Sequence, residues 1–451
     1  MKLTFLSVIA AAVLMIITPA TASAQLPIET EAQKTQRMKW WTEARFGMFI
    51  HWGLYALPAR HEWVKNRERI TTEDYQKYFE AFDPDLYNPK EWARMAREAG
   101  MKYVVLTSKH HEGFCLWDTR YTDYKSTNTP FGRDIIREFV DAFRAEGLKV
   151  GFYYSLLDWH HPDFTIDSRH PQRQENDADY ERLNKGKDMN RYREYMKNQV
   201  RELLTNYGEI SIMWFDYSYP GKNGKGRQDW DSGNLVKLAR SLQPGIIVND
   251  RLDLKDVEGG WDFTTPEQRK VTKWPEENGK RVAWETCQTF SGSWGYYRDE
   301  TTWKSPAQLI ELLSESVSKG GNLLLNVGPT ARGAFDYRAM ERLEAMGEWM
   351  KYNNRSVYKC TEAPSDIVAP PNTLLTYNPE TKRLYVHLLT YPMGSLRMEN
   401  MAGKIKYVQF LHDASEIIYS TGTGVDSNTI NMSLPVLKPP VEIPVLEIYL
   451  K

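Results

Sequence analysis

Residues 212–216 read IMWFD, four apolar residues running straight into a carboxylate. Asp216 is badly placed for a solvated surface and worse placed for a dry core, because burying an unpaired charge is costly. The position makes sense if a strand carries the aspartate through a core and releases it into a cleft, as strands of parallel α/β barrels do at their carboxyl ends. Trp214 lies two residues earlier and therefore on the same side of that strand. A carboxylate beside an aromatic face suits chemistry on a sugar ring that develops oxocarbenium character.

Other apolar runs end the same way, in groups able to hydrogen-bond a hydroxyl. FIHWG supplies His51 and Trp52, with Glu62 and Trp63 in the segment that follows. SKHHEGF supplies His110 and His111, and FYYSLLDW supplies Tyr153, Tyr154, Asp158 and Trp159. NDR ends in Arg251, AWET in Glu285, and LLNVG carries Asn326. One polar strand end says little; an ordered series of them describes a polyhydroxyl-binding site.

Hydrolysis of a glycoside needs a second carboxyl group to protonate the leaving oxygen. Two glutamates qualify. Glu267, in DFTTPEQ, is expected on a loop folding back over the cleft, with Trp261 or Phe263 beside it to raise its pKa. Glu285 is expected at a strand end, as an orienting carboxylate or as the alternative acid. Asp250, Asp253 and Asp262 are further carboxylates in the same stretch. Adjacent residues on a strand point to opposite faces, so His110 and His111 are not expected to chelate one ion together, and neither HxH nor HExxH spacing occurs. No metal is expected.

The elements that must position these groups alternate in kind. Apolar runs at 47–53, 102–111, 149–155, 210–216, 245–250, 281–286 and 321–329 are separated by helix-like stretches at 89–100, 135–147, 189–208, 232–245 and 305–321. In the last, Ser305 reads as N-cap, Pro306 as the first helical residue and Gly320 as the stop. Continuous apolar strands alternating with amphipathic helices predict an α/β fold with a parallel sheet, here a (β/α)8-like barrel over residues 25–357. From 358 to 451 the pattern changes to short alternating strands without helices, which predicts a small C-terminal antiparallel β-sandwich.

Composition sets the outer bounds. The chain is 41% hydrophobic and 26% charged, with formal net charge −1 from 58 basic and 59 acidic residues. No long block of one sign occurs, which argues against nucleic acid or a membrane surface as partner. Its 15 Trp and 26 Tyr suit a cleft that stacks on sugar rings. The start reads as a secretory signal peptide over residues 1–24: Lys2, an apolar stretch from Leu3 to Ile17, then Ala22-Ser23-Ala24. Export to the periplasm or the medium is expected, with no membrane insertion after cleavage. Three widely spaced cysteines give no disulfide framework.

Taken together, FGMFIHWGLYALP, EW at 62–63, TSKHHEGFCLWD, GFYYSLLDW, MWFD, VNDR, TPE, WETCQTFSGSWGY and LLLNVGP resemble the family-29 α-L-fucosidases of the glycoside hydrolases. The resemblance covers about Trp40 to Tyr358. It implies a barrel followed by a β-sandwich, and retaining double displacement on fucosylated glycans without metal or organic cofactor. It matches Asp216 to the nucleophile, and His51, Glu62, Trp63, His110, His111, Tyr154, Trp214 and Arg251 to the positions that grip the sugar. The acid/base stays open between Glu267 and Glu285. Two other readings remain: a related retaining glycosidase acting on another sugar such as a galactoside, and a fucose-binding protein without turnover.

Overall fold

The computed structural model describes residues 29–451, so the expected signal segment lies outside it. Seven parallel strands form one curled sheet in the order β5-β4-β3-β2-β1-β9-β8. They are β1 (Phe46–Ile50), β2 (Tyr103–Lys109), β3 (Lys149–Ser155), β4 (Ile212–Asp216), β5 (Ile247–Val248), β8 (Glu285–Thr289) and β9 (Asn322–Val327), with a small hairpin of β6 (Glu276–Glu277) and β7 (Lys280–Arg281) before β8. Between β5 and β8 the ring is completed by residues 263–267. Phe263 bridges Asn249 on one side, while Thr264 and Glu267 bridge Trp284 and Cys287 on the other, all parallel. The Thr264 and Gln268 N–H groups donate to the Ala283 and Cys287 carbonyls, and the Glu285 and Cys287 N–H groups donate to the Thr264 and Pro266 carbonyls, so this eighth position follows a parallel ladder that lacks the one bond Pro266 has no N–H to give.

Helices cover the outside. Pro89–Glu98 begins where Asn88 accepts from the Glu91 N–H, has proline in its first turn, and buries Trp92, Ala93, Met95 and Ala96. Ile135–Ala145 buries Ile135, Ile136, Phe139, Val140 and Phe143 on its sheet-facing side. Each fully buried aliphatic or aromatic side chain of this kind contributes roughly 1.5–3 kcal/mol. Pro306–Ser318 starts at Ser305 with the full reciprocal cap to Gln308.

The barrel interior is a separate cluster, including Phe49, Tyr103, Val105, Tyr153, Ile212, Trp214, Phe263, Cys287 and Leu324. Helix Glu31–Ala44 plugs its lower end with Met38, Trp41 and Ala44. Gly47 leaves room for the Tyr103 ring to lean across the barrel floor; a Cβ there would lie 2.3 Å from that ring. Among the described residues no helix is long and apolar enough to cross a membrane.

The C-terminal region stacks a sheet in the order β10-β11-β12-β17-β14 against one in the order β13-β16-β15. These strands are β10 (Thr361–Glu362), β11 (Thr373–Asn378), β12 (Arg383–Leu388), β13 (Ser395–Met398), β14 (Ile405–Phe410), β15 (Tyr419–Thr421), β16 (Ile430–Ser433) and β17 (Val445–Leu450). Leu384, Val386, Val408, Met432, Leu446 and Ile448 form their common core. The sandwich is tied to the barrel by Trp349 Nε1 donating to the Ile443 carbonyl (3.0 Å), Arg45 Nε to the Cys360 carbonyl (2.7 Å), and an Arg355–Glu447 ion pair (2.9 Å). All three cysteines are buried and unpaired.

Candidate active site

Asp216 is the last residue of β4, paired in register with Ser155, as Trp214 is with Tyr153. Its Oδ2 accepts from the Tyr153 hydroxyl at 2.8 Å, and its Oδ1 meets Arg251 Nη1 at 2.9 Å. Burial raises the Asp216 carboxyl above its ordinary range, and the Arg251 guanidinium opposes that shift. The next residue, Tyr217, has φ 80°, a conformation that costs a bulky side chain on the order of 1–3 kcal/mol. The strained turn places the Tyr217 ring 5.2 Å from Trp63 and 5.1 Å from His111, so that it walls the pocket.

Arg251 spans two carboxylates. While Nη1 holds Asp216, Nη2 holds Glu267 Oε2 at 2.8 Å, and the guanidinium lies 4.5 Å over the Trp214 ring. Glu267 is the more open of the two acids, its side chain 43% exposed against 11% for Asp216. The aromatic flank expected for Glu267 is absent. Phe263 packs on Trp41 inside the barrel (4.7 Å), and Trp261 donates its indole N–H to the Lys255 carbonyl.

Three histidines line the same cavity as uncharged hydrogen-bonding groups. His51 Nδ1 lies 2.6 Å from Asn326 Oδ1, and the Asn326 amide in turn donates to the Trp294 carbonyl at 2.6 Å. That chain orients the amide and puts the proton on Nδ1, leaving Nε2 to accept a ligand hydroxyl. Burial drives the His51 pKa down to about 3. His111 Nδ1 is 2.7 Å from Ser155 Oγ, whose own proton goes to the Leu157 carbonyl. His111 therefore also keeps its proton on Nδ1, with Nε2 4.0 Å from Asp216 Oδ2. His110 and His111 both face the cavity, their ring centroids 4.0 Å apart, contrary to the alternation expected of a strand. The reason is that β2 ends at Lys109 and the two histidines stand in the following turn. Burial holds both well below the usual imidazole pKa.

Glu62 closes the far wall. Its Oε2 accepts from the Trp294 and Gly295 N–H groups at 3.2 and 2.9 Å, and burial pushes its pKa up to about 7 against those bonds. Trp63 packs edge-on to His111 at 4.9 Å. Among the described residues no group of three or more His, Cys, Asp or Glu side chains is placed to hold a metal ion.

Two further sequence-based expectations are corrected. Tyr154 does not reach the cavity: it faces the outer helices, where its hydroxyl donates to Gln199 Oε1 at 2.7 Å. Its neighbour Tyr153 lines the site instead, because pairing with Trp214 turns that residue inward. Glu285 is not at the carboxyl end of a strand either. It begins β8, deep in the barrel, where it accepts a hydrogen bond from Tyr103 and is fully buried. Burial raises its pKa to about 7, with the Tyr103 hydroxyl and the Trp41 and Trp214 indoles working against the shift. Of the other carboxylates, Asp262 is locked to Arg37 (2.7 Å) and Arg240 (3.2 Å), and Asp250 to Lys255 (3.0 Å).

Sequence reasoning missed Trp294 and Tyr217 as cavity walls. Trp294 lies in the GSWGY stretch, and its signal was an aromatic between two glycines; Tyr217 directly follows Asp216. The cavity they help line, about 60 Å³, ends on the barrel core and opens past Asp216, Tyr217, Arg251 and Glu267 into a wider cleft of about 610 Å³.

A polar-lipped barrel mouth holding two acids on one guanidinium, beside aromatic walls and neutral histidines, is the constellation of a glycoside hydrolase. The α-L-fucosidase family model matches residues 14–355, and the chain belongs to that family, glycoside hydrolase family 29. Plasma α-L-fucosidase of Homo sapiens is 30% identical over 380 residues, 78% of this chain and 76% of that protein. α-L-Fucosidase isoenzyme 1 from Paenibacillus thiaminolyticus is 44% identical, with a TM-score of 0.86 over 93% of this chain and 99% of its own. A GH29 α-L-fucosidase of Bacteroides thetaiotaomicron, solved as a trapped covalent intermediate with 2-fluoro-fucosyl fluoride, is 29% identical, with a TM-score of 0.79 over 92% and 96% of the two chains.

Proposed function

We propose that the protein is an exported, exo-acting α-L-fucosidase that releases terminal L-fucose by retaining double displacement, with Asp216 as nucleophile and Glu267 as acid/base. The observation that carries this reading is the shared guanidinium of Arg251, which holds both carboxylates where the inner cavity opens into the outer cleft. An Asp216 oxygen attacks the anomeric carbon, the bond to the aglycone oxygen breaks, and Glu267 gives that oxygen its proton. Water then attacks the same carbon, delivers a proton to Glu267, and Asp216 leaves with its electron pair. The trapped intermediate of the Bacteroides relative supports the two-step course.

His51, His110 and His111 are neutral at working pH and address sugar hydroxyls, while Glu62 and Arg251 supply the charged or polar grips. The aromatic walls of Trp63, Tyr217 and Trp294 suit the C6 methyl of fucose. The closed inner end and wide mouth suit removal of one terminal residue. The apolar and small-residue pattern of residues 1–24 supports export.

The test compares aryl α-L-fucoside with aryl galactoside, follows the anomer released by NMR, and repeats the assay with Asp216→Gly. The fucoside should be hydrolysed with retention, and the variant should lose about 10³-fold or more in kcat, as expected when a covalent nucleophile is removed. Ordinary turnover by the variant, or inversion, overturns the assignment.

A further inference from the structure

The outer cleft pairs its charges unevenly. It is lined by five acidic side chains, Asp216, Asp250, Asp253, Asp256 and Glu267, and by five basic ones. Every acid is engaged. Arg251 takes Asp216 and Glu267, Lys255 takes Asp250, and Arg227 takes Asp253 and Asp256. The two remaining cations, Arg169 and Arg269, have no carboxylate partner among the described residues. Both are exposed side chains facing the cleft.

Their backbones are fixed while their guanidinium groups stay open. The Arg169 N–H donates to Asp167 Oδ1 at 2.8 Å, and its carbonyl accepts from Asn66 Nδ2 at 2.6 Å. Asp167 is itself buried under Lys225 and the Tyr219 hydroxyl, so the base of Arg169 rests on a packed ion pair. The guanidinium lies 5.8 Å from the Tyr217 ring, just outside the inner cavity. On the other side, the Gln268 N–H donates to the Cys287 carbonyl at 3.1 Å, and the Arg269 carbonyl accepts from Gln288 Nε2 at 3.3 Å. Arg269 therefore stands two residues past Glu267 on backbone tied to β8. In the ring order, the loop after β3 and the segment before β8 flank the ends of β4 and β5, where Asp216 and Arg251 stand.

We infer that this cleft is an aglycone subsite for an anionic glycan: a sugar chain that bears a sulfate or carboxylate group next to the fucosylated residue. The inference rests on the fucosidase reading above and adds the chemical class of the leaving group. A guanidinium offers paired donors that match the oxygens of sulfate or carboxylate, and two of them without partners give an anion a place that a neutral aglycone would leave unused. Tyr217 and Tyr219, edge to face at 5.3 Å, provide the aromatic wall on which the sugar itself would lie. The five acids share the three cations Arg251, Arg227 and Lys255, so the paired groups keep two negative charges, and Arg169 and Arg269 are the cationic groups left for an anion to meet.

The experiment measures kcat/KM on matched fucosylated disaccharides whose second sugar is neutral, sulfated or a uronic acid, with a neutral aryl fucoside as control. Wild type, Arg169→Ala, Arg269→Ala and the double variant are compared at low salt and at about 0.15 M salt. Wild type should prefer at least one anionic substrate. Each single change should cut that preference about 5-fold, the size expected of an exposed ion pair worth about 1 kcal/mol. The double variant should abolish it, added salt should weaken it, and neutral aryl fucoside should be turned over within about 2-fold of wild type throughout. The sulfate and uronate arms decide which anion the cleft takes. No anionic preference in wild type, or one that survives in the double variant, overturns the inference while the aryl-fucoside control leaves the fucosidase reading standing. Failure of wild type on the aryl fucoside overturns both.

Discussion

Two glutamates eighteen positions apart face opposite fates. Glu285 is fully buried at the start of β8, held by Tyr103, with its pKa pushed up to about 7. Glu267 stands at the barrel mouth, 43% exposed at its side chain and paired with Arg251. Its pKa alone would qualify Glu285 as a general acid, since a carboxyl poised near neutrality is what proton donation needs. Judged by reach, it has no route to a glycosidic oxygen, because Tyr103, Trp41 and the β4 side chain Trp214 lie around it. A shifted carboxyl marks a site only where a substrate atom can meet it. Glu285 is a structural acid of the barrel floor; Glu267 is the one whose neighbours are the proposed nucleophile and open space.

The contrast breaks most clearly on catalysis. Glu267→Gln should lower kcat on fucosides with poor leaving groups by about 10²–10⁴-fold, and by much less on a nitrophenyl fucoside, whose leaving oxygen needs no proton. Equal losses on both substrates would remove Glu267 from the acid/base role. A smaller effect separates the two adjacent tyrosines. Tyr153→Phe should cost about 10-fold in kcat, because the Asp216 carboxylate loses a hydrogen bond at 2.8 Å, whereas Tyr154→Phe should leave kcat near wild type and cost about 1 kcal/mol of stability. A reversed pattern would mean that the inward face of β3 has been misassigned.

The smallest catalytic effect belongs to Glu285. Glu285→Gln should keep kcat within about 3-fold, and its signature lies in stability against pH. The folded pKa of about 7 is above the ordinary value of 4.5, so folding favours the protonated form. That contribution is fully present below about pH 4.5 and is lost as pH rises through about 7. Relative to the glutamine variant, wild type should therefore lose about 2–3 kcal/mol between pH 5 and pH 8 in urea unfolding. Glu62, raised to a similar value, is present in both proteins and cancels. A flat difference would show that Glu285 is ionised and paired.

Much of this arrangement is legible in the chain, and the places where it is not have physical reasons. Apolar runs that end in polar groups locate β1, β2, β3, β4, β5 and β9, since a strand buried on both faces must be continuously apolar. Asp216, Arg251 and the three histidines follow from those ends. The choice between Tyr153 and Tyr154 does not, because parity depends on the register with β4, and β2 and β3 slip past one another between Thr107 and Lys109. Glu285 misleads because β8 reads ETCQT, a strand whose buried faces are largely polar, so the apolar stretch before it looks like the strand itself. The eighth position hides in DFTTPEQ, which has no apolar run and carries a proline.

That proline has a mechanical consequence. Asp216 rides on a stave paired with β3 along all five of its residues, whereas Glu267 rides on one that lacks a bond to β8 at Pro266 and is bridged to the β5 side at Phe263. A two-step displacement asks one carboxylate to stay still while a bond forms on it, and the other to trade its proton between the aglycone and water. On the proposed roles, the barrel backs the first with an unbroken ladder and leaves a gap in the pairing beneath the second.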